Sequence, residues 1–339
     1  MTDSQPLVSI IMAVKDTAPY LRTCLDSVLA QSYFNWELIA VNDHSSDETP
    51  QILAEYAARD QRIIYADGEG HRLIPTLQKA YSLSLGTLIN RMDSDDKMPA
   101  YKIETLVSEW LKHGKGHVIA GGTQHFVDKG VVGDGFLKYE RWLNRVAKNN
   151  LHFQEIYKEC VIPSHCWIIH RDDFDDIHNF KPMVYPEDYD VCFRMYAGKL
   201  KVIGIDVILH YWRDRSNRIS RTWAEYKDNR FYELKVKYFN QLDRDTSREL
   251  VIWGAGKNGK DLVKLFIEFA PNKPTWVCDN ERKIGRDIYG IIMQSTTAIP
   301  AMNNPQIIIA VSSPTDKLDI EAQLNSWGKE PRKDYWFFN

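Results

Sequence analysis

Apolar runs of strand length alternate with amphipathic segments along the first ninety residues, and this alternation restricts the fold more than any other feature. The apolar runs are residues 7–14, 36–41, 62–65 and 87–91. The intervals between them carry apolar residues at helical spacing. Strands that alternate with helices predict a mostly parallel sheet with helices on both faces, which is an α/β fold.

Polar residues follow three of these predicted strands. The first strand leads into Lys15 and Asp16, the second into Asn42 and Asp43, and the fourth into the acidic run 92–96. Ligands of parallel α/β sheets bind beyond the carboxyl ends of the strands. We therefore expect these side chains to converge on one cleft.

The acidic run places three carboxylates, Asp93, Asp95 and Asp96, within four residues. Mg²⁺ and Mn²⁺ prefer oxygen ligands and are commonly held by one or two carboxylates together with substrate phosphates. The simplest use of the run is to bind a metal ion that carries a diphosphate. The alternative is a solvated acidic loop in which Asp96 caps a helix that begins at Pro99.

Four segments together resemble the family 2 glycosyltransferases. They are residues 8–14, 41–47, 91–96 and 186–190, and the resemblance extends over roughly residues 7–220. It implies the GT-A fold, a mixed and mostly parallel sheet with flanking helices. It also implies a nucleotide-sugar donor, Mn²⁺ or Mg²⁺ as cofactor, and inversion at the anomeric carbon. A UDP-sugar is favoured because such donors are frequent in the family.

The resemblance implies roles for individual side chains at the donor site. Donor contacts are expected from Val14, Asp16, Asp43, Arg91, Asp93 and Arg213. The expected metal ligands are Asp95, Asp93 and His210. Two positions depart from the family, because many relatives have an asparagine at Lys15–Asp16 and an aspartate at Asn42. Asp43 keeps the second acidic position, so we expect recognition of the nucleotide base to survive.

A second acidic pair, Glu187 and Asp188, begins a predicted helix. Such residues could simply complement the helix dipole. The resemblance instead implies that the pair holds the catalytic base, since a carboxylate within hydrogen-bond reach can remove the proton of an attacking sugar hydroxyl. Asp188 is the expected base and Glu187 its support. His165 matches a histidine often found near the acceptor, although it could equally be a loop histidine with a structural role.

The segment after the predicted strand 207–210 resembles the part of the family fold that closes over the donor diphosphate. Arg213 is expected to clamp the diphosphate through paired N–H donors, although Asp214 stands about where relatives have a histidine. Residues 199–237 hold ten Lys and Arg against five Asp and Glu. This excess predicts either a solvated helix face or attraction to anionic lipid or a lipid-linked acceptor.

A second α/β domain is predicted near the C-terminus, so that the expected domains are residues 1–240 and 241–339. A strand at 249–253 leads into a G-x-G-x-x-G turn formed by Gly254, Gly256 and Gly259, and Asp279 lies 20 residues further on. In dinucleotide-binding folds that acid contacts a ribose. The segment resembles small Rossmann-like domains that bind nucleotides or nucleotide sugars. Alternatively, the domain serves for docking and keeps its glycines for packing.

Composition narrows the remaining possibilities. A formal net charge of −3 gives no overall attraction to nucleic acid. No run reaches the ~18 apolar residues of a membrane span, and residues 1–6 are too short and polar for a signal peptide. The five cysteines show neither zinc-binding spacing nor a disulfide framework. We expect a cytoplasmic protein, with peripheral contact at the inner face of the membrane as a further expectation.

The predicted function is metal-dependent, inverting transfer of a sugar from a nucleotide sugar to a glycan or lipid-linked acceptor in cell-surface polysaccharide synthesis. An NAD(P)-dependent oxidoreductase that uses the C-terminal G-x-G-x-x-G turn is one alternative, but no Tyr-x-x-x-Lys pattern stands out beside the turn. A catalytically inactive scaffold is another, and the acids at 93, 95, 187 and 188 argue against it. We expect the C-terminal domain to be accessory.

Overall fold

The computed structural model describes residues 5–215, 226, 230–269 and 272–339. The chain divides into two units. The first comprises Met1–Phe153 and Val161–Thr222, and the second comprises Gln154–Cys160 and Trp223–Asn339. Much of the basic stretch 199–237 lies outside the described residues, because 216–225 and 227–229 fall there. Among the described helices, none has the length and apolar character needed to cross a bilayer.

The first unit is built on a seven-stranded sheet. Its strands are β1 Val8–Val14, β2 Trp36–Asn42, β3 Ile63–Asp67, β4 Leu88–Arg91, β5 His117–Phe126, β6 Trp167–His170 and β7 Lys201–Arg213. Their order is β3-β2-β1-β4-β6-β5-β7. Strand β6 runs antiparallel to β4 and β5, while the other neighbouring pairs are parallel. The predicted α/β class with a mixed, mostly parallel sheet is confirmed.

Within the described part of this unit, seven helices accompany the sheet. They are α1 Ala18–Leu29, α2 Thr49–Arg59, α3 Leu73–Leu83, α4 Lys102–His113, α5 Asp134–Lys148, α6 Arg171–Asp176 and α7 Glu187–Ala197. Helix α1 shows the pattern, since the residues it buries, Leu21, Cys24, Leu25 and Val28, recur every three or four positions. They join the core with residues of β1 and β2. The two strands are apolar almost throughout because both faces of the sheet are covered.

The sheet order brings the predicted site residues to one edge. Strands β2, β1 and β4 are neighbours and run parallel, so their carboxyl ends, Asn42, Val14 and Arg91, lie side by side. Strand β7 also ends at this edge, and Tyr211 pairs with Lys97 of the loop after β4. Four segments distant in sequence therefore meet beyond the strand ends.

The second unit has a five-stranded parallel sheet in the order β12-β9-β8-β13-β14. Its strands are β8 Leu250–Trp253, β9 Thr275–Cys278, β12 Gln294–Ser295, β13 Gln306–Ile309 and β14 Tyr335–Phe337, and a small hairpin pairs β10 Asp287–Ile288 with β11 Ile291–Ile292. Its helices are α8 Arg230–Leu242, α9 Lys257–Phe269 and α10 Pro314–Ser326. The chain lays strands first on one side of β8 and then on the other, as in doubly wound folds.

Helix α8 belongs to the second unit, which differs from the expected boundary after residue 240. Lys235, on this helix, donates from Nζ to the carbonyl oxygens of Lys158 and Phe338 at 2.8 and 3.0 Å. Phe239 packs edge-to-face against Trp336 and Phe338. These contacts made with residues remote in sequence are the reason why the helix falls on the C-terminal side of the division.

Candidate active site

The loop after β1 is tied to the loop after β2. Asp16 adopts a positive φ of 48°, and its Oδ1 accepts hydrogen bonds from the backbone N–H and the hydroxyl of Ser46 at 2.7 and 3.1 Å. The carbonyl oxygen of Val14 accepts the N–H of Asp43 at 2.7 Å. Val14 and Asp16, both predicted to contact the donor, therefore also hold the two loops in register.

Asp43 is buried directly after β2, and one of its carboxylate oxygens lacks a hydrogen bond from the described residues. Its Oδ2 accepts from the N–H of Arg72 at 3.1 Å and from Nζ of Lys15 at 3.3 Å. Its Oδ1 accepts no hydrogen bond within the described part of the chain, with Nδ1 of His44 3.5 Å away. A buried acceptor without a donor is costly, so an N–H donor at this oxygen would be stabilising.

Arg91 joins the two acidic motifs. Its Nε and Nη2 lie 3.2 and 3.1 Å from Oδ1 of Asp93, and its Nη1 lies 2.9 Å from Oε1 of Glu187. Burial disfavours the guanidinium charge, but the nearby carboxylates of Asp93 and Glu187 outweigh burial and raise the pKa of Arg91 above its ordinary value. The predicted donor residue Arg91 thus bridges the two motifs, and its contact with Glu187 spans 96 positions of the chain.

Asp188 stands beside this bridge in the first turn of α7. The helix begins at Glu187, directly after Pro186, whose φ of −65° suits the position before a helix. Asp188 lines a pocket together with Arg91, Ser164, Trp167, Ile162, Phe180, Val191, Cys192 and Met195. Its side chain is half-buried, so the carboxylate borders a cavity while remaining accessible. A general base needs a carboxylate that a substrate can reach.

Asp95 forms an ion pair that the sequence analysis missed. Its Oδ2 lies 2.7 Å from Nε of Arg215, and the two side chains are only 15% and 16% exposed. The backbone carbonyl of Asp95 accepts a hydrogen bond from Nε of Arg213 at 2.6 Å. The alternating charges of residues 213–215 were the available signal, because residues two apart in an extended chain lie on the same side, so Arg213 and Arg215 can both face the acidic loop.

Arg213 differs from its predicted role as a diphosphate clamp. Its side chain is buried, its Nη1 donates to Asp128, and its backbone N–H donates to Asp96 at 2.7 Å. Its guanidinium carbon also lies 4.8 and 4.5 Å from the ring centres of Tyr20 and Phe126. The guanidinium therefore holds the acidic loop against the end of β7. We correct its assignment from donor ligand to positioning residue.

His210 and His165 also differ from their predicted roles. His210 is fully buried, and its Nε2 lies 2.9 Å from Oδ2 of Asp96, not on Asp93 or Asp95. His165 is fully buried as well, with its ring stacked on that of His210 at a centroid distance of 3.6 Å. An acceptor sugar cannot reach a ring at this depth, so we correct His165 from acceptor contact to core residue.

Lys102 completes the buried network around His210. Its Nζ donates to the carbonyl oxygen of His165 at 2.8 Å and lies 3.4 Å from Nδ1 of His210. Burial lowers the pKa of Lys102 to about 8. Because Asp96 is engaged here, it does not cap a helix. Helix α4 begins at Lys102, and no side chain caps its N-terminus.

The donor set suits a divalent cation in part. Asp93 and Asp95 are partly exposed carboxylates at a strand end, and hard cations combine such ligands with substrate phosphates. His210 does not join them. The described residues include two groups with ligand atoms within 4.8 Å of one another, Asp96–His165–His210 and Asp43–His44–His71, but the first is a buried hydrogen-bonded network. A cation at Asp93 and Asp95 would compete with Arg215 for the carboxylate of Asp95.

In the second unit, the residues predicted to bind a nucleotide differ in how strongly the packing requires them. A Cβ atom at Gly259 would lie 1.9 Å from the carbonyl oxygen of Gly254, so packing alone requires this glycine. A Cβ at Gly256 would meet nothing within 4 Å. Asp279 already accepts from Nε1 of Trp253 at 3.0 Å and from the hydroxyl of Thr296 at 2.5 Å. These internal bonds do not favour ribose recognition by Asp279 or the oxidoreductase alternative.

Comparison with known proteins identifies the family. The model of glycosyl transferase family 2 matches residues 9–178. An uncharacterized glycosyltransferase of Haemophilus influenzae is 30% identical over 288 residues, which cover 78% of this chain and 85% of that protein. The chain therefore belongs to glycosyltransferase family 2, as the motifs predicted, and is a transferase.

Other relatives match over shorter parts of their length. The glycosyltransferase GlyA of Streptococcus pneumoniae is 26% identical over 225 residues, which cover 64% of this chain and 32% of that protein. EpsE of Bacillus subtilis is 35% identical over 133 residues, which cover 39% of this chain and 48% of that protein. The chain thus spans about a third of the first relative and about half of the second.

Two solved structures share the fold. Residues 1–349 of Staphylococcus aureus TarS, in complex with UDP-GlcNAc, superpose with a TM-score of 0.54 at 17% identity, over 77% of this chain and 73% of that one. The mannosyltransferase PcManGT from Pyrobaculum calidifontis, in complex with GDP-Man and Mn²⁺, gives 0.53 at 15% identity, over 79% and 71%. At such identities the likeness supports the GT-A architecture alone.

Proposed function

We propose that the first unit transfers a sugar from a nucleotide sugar to a hydroxyl of a glycan or lipid-linked acceptor, with inversion, in cell-surface polysaccharide synthesis. The observation that carries the proposal is the Arg91 bridge. It joins Asp93, at the end of β4, to Glu187, at the start of α7. Arg91 and Asp188 border one pocket, so the bridge links a predicted donor-binding acid to the predicted base region, as transfer between two bound substrates requires.

Asp188 acts as the general base in this proposal. An acceptor hydroxyl in the pocket lined by Asp188 and Arg91 would donate its hydrogen bond to the carboxylate. The proton passes to Asp188 as the hydroxyl oxygen attacks the anomeric carbon from the face opposite the diphosphate. Glu187, held by Arg91 at 2.9 Å, fixes the first turn of α7 and so the position of its neighbour.

Mn²⁺ or Mg²⁺ is the proposed cofactor, with Asp95 and Asp93 as its protein ligands. Bound there, the cation would supply positive charge to the departing diphosphate. Oxygen ligands from carboxylates and phosphates suit both ions. Among the structural neighbours, the PcManGT complex contains Mn²⁺.

The Asp43 oxygen that lacks a hydrogen bond from the described residues favours uracil as the donor base. Oδ2 already accepts two hydrogen bonds, from Arg72 and Lys15, which leaves Oδ1 as the available acceptor. Uracil presents one ring N–H, which a single oxygen can accept. Guanine presents a ring N–H and an amino group side by side, which a carboxylate binds best with both oxygens. We therefore propose a UDP-sugar donor, as in the TarS complex rather than the PcManGT complex.

Calorimetric titration of UDP and GDP in the presence of Mn²⁺ tests the base assignment. UDP should bind more tightly, and Asp43→Ala should weaken UDP binding by about tenfold or more, the scale of one charged hydrogen bond. Asp60→Ala serves as the control, because Asp60 pairs with Arg62 in a loop before β3. Tighter binding of GDP would overturn the preference for uracil, and equal effects of the two variants would overturn the role of Asp43.

Turnover of a panel of nucleotide sugars tests the reaction itself. Hydrolysis or transfer should require added Mn²⁺ or Mg²⁺ and should consume no NAD(P)H. The second unit is proposed to be accessory, so Gly256→Val should leave donor turnover unchanged. Nucleotide-sugar turnover that is lost in this variant while the protein stays folded would instead assign the chemistry to both units.

A further inference from the structure

We propose that Arg215 competes with the divalent cation for Asp95 and thereby makes cation binding depend on the donor diphosphate. The inference rests on the proposed function and concerns the control of the same site. Its basis is the 2.7 Å contact between Nε of Arg215 and Oδ2 of Asp95. A guanidinium thus lies on the carboxylate that is the expected ligand of the cation.

The Arg215–Asp95 pair is sheltered enough to matter. Both side chains are about 85% removed from solvent, whereas the ion pairs that contribute little to stability are solvent-exposed. The hydrogen bond is charge-assisted at both ends. The guanidinium carbon also lies 5.5 Å from the ring centre of Tyr20, which adds a favourable cation–π contact. Displacing Arg215 therefore has a measurable cost.

The other oxygen of Asp95 is a less favourable ligand for the cation while Arg215 is bound. The two oxygens of one carboxylate are so close that an ion on Oδ1 would stand beside the guanidinium and be repelled by it. The backbone of the loop is also held in place, because Nε of Arg213 donates to the backbone carbonyl of Asp95 at 2.6 Å. Binding of the cation and pairing with Arg215 are thus mutually unfavourable.

The other arginines of the site are already committed elsewhere. Arg91 binds Asp93 and Glu187, and Arg213 binds Asp128 and the Asp95 backbone. A donor diphosphate, however, would offer Arg215 a second anion when it leaves Asp95, and guanidinium groups bind phosphate oxygens with paired N–H donors. Cation and nucleotide would then each favour binding of the other, because Arg215 moves from carboxylate to phosphate.

The test measures Mn²⁺ binding without nucleotide, using the electron paramagnetic resonance signal of free Mn²⁺. Arg215→Met removes the charge and keeps a flexible side chain of similar volume, so it should bind Mn²⁺ about tenfold more tightly than the wild type. Arg215→Lys should stay close to wild type because it keeps a cation. Arg22→Met removes the same charge from the exposed pair with Glu55 and should have no effect. Asp95→Asn defines the binding that does not involve the site.

A second titration adds saturating UDP. The wild type should then bind Mn²⁺ more tightly than it does alone, and Arg215→Met should lose most of this enhancement, because its phosphate contact is gone. Equal Mn²⁺ affinity in wild type and Arg215→Met, with binding still dependent on Asp95, would overturn the inference and leave the proposed function intact. Mn²⁺ binding that does not depend on Asp95 in any variant would overturn both the inference and the proposed cation site.

Discussion

Substitution of Arg91 by methionine probes the contact that joins the two halves of the proposed site. The guanidinium makes contacts to Oδ1 of Asp93 at 3.1 and 3.2 Å and one to Oε1 of Glu187 at 2.9 Å. Methionine fills similar space but removes the charge. The side chain of Glu187 is 8% exposed. In the variant its carboxylate therefore remains buried after the Arg91 guanidinium has been removed.

The expected loss is large because the pair with Glu187 is buried. Removing one member of a buried ion pair typically costs about 3–5 kcal/mol. The pair with Asp93 adds less, since that carboxylate is 26% exposed and water can replace part of the contact. We therefore expect Arg91→Met to lower the free energy of unfolding of the first unit by about 3–5 kcal/mol, a large share of the ~5–15 kcal/mol typical of a folded domain.

Urea unfolding provides the assay, with hydrogen exchange of β4 amides read by mass spectrometry so that the first unit is followed on its own. The double variant Arg91→Met/Glu187→Gln also removes the negative charge of Glu187, and it should recover about 2 kcal/mol of the loss. Arg22→Met is the control, since its partner pair is exposed and should matter far less. A loss under ~1 kcal/mol for Arg91→Met, or no recovery in the double variant, would refute the reasoning.

Three further predictions follow from the structure. Asp188→Asn should lower kcat by roughly 10²-fold or more while changing UDP affinity only a few-fold. If UDP binding were lost while kcat at saturating substrate stayed the same, Asp188 would be a donor ligand instead. Gly259→Ala should lower the melting temperature of the second unit, because the new Cβ would lie 1.9 Å from the Gly254 carbonyl oxygen. Gly256→Ala should leave the melting temperature nearly unchanged. Similar melting temperatures for the two variants would contradict the packing argument. Lys102 has a folded-state pKa near 8, below its ordinary 10.5, so the unfolded chain binds more protons between these values. The stability of the wild type relative to Lys102→Met should therefore rise by about 3 kcal/mol as the pH rises through this window, and a flat or falling difference in urea unfolding would contradict the assignment.

Local patterns in the sequence determined the sheet and its polar edge. The apolar runs that became β1, β2 and β4 are continuous because helices cover both faces of the sheet, and periodicity reports such burial directly. The acids after β4 and the pair at the start of α7 could be recognised because each lies within a few residues of an element boundary. The same local signals indicated the family that the comparisons confirmed.

Tertiary structure decided which charged groups face one another. Arg213 and Arg215 are two residues apart, yet one is buried against Asp128 and the other lies on the carboxylate of Asp95. The depth of His165 and His210 depends on how β7 packs over the acidic loop. Helix α8 joined the second unit through contacts with residues far along the chain, which no local pattern encodes.

The sequence by itself determined the alternation of strands and helices over the first ninety residues, the acidic motifs and the edge of the sheet at which they meet. Only the tertiary structure paired Arg91 with Glu187 across 96 residues and Arg215 with Asp95 across 120. The physical reason is that hydrophobic periodicity is a local property of the chain. Ion pairing depends instead on the direction of each side chain and on distances of a few ångströms, which exist only after the strands have come together.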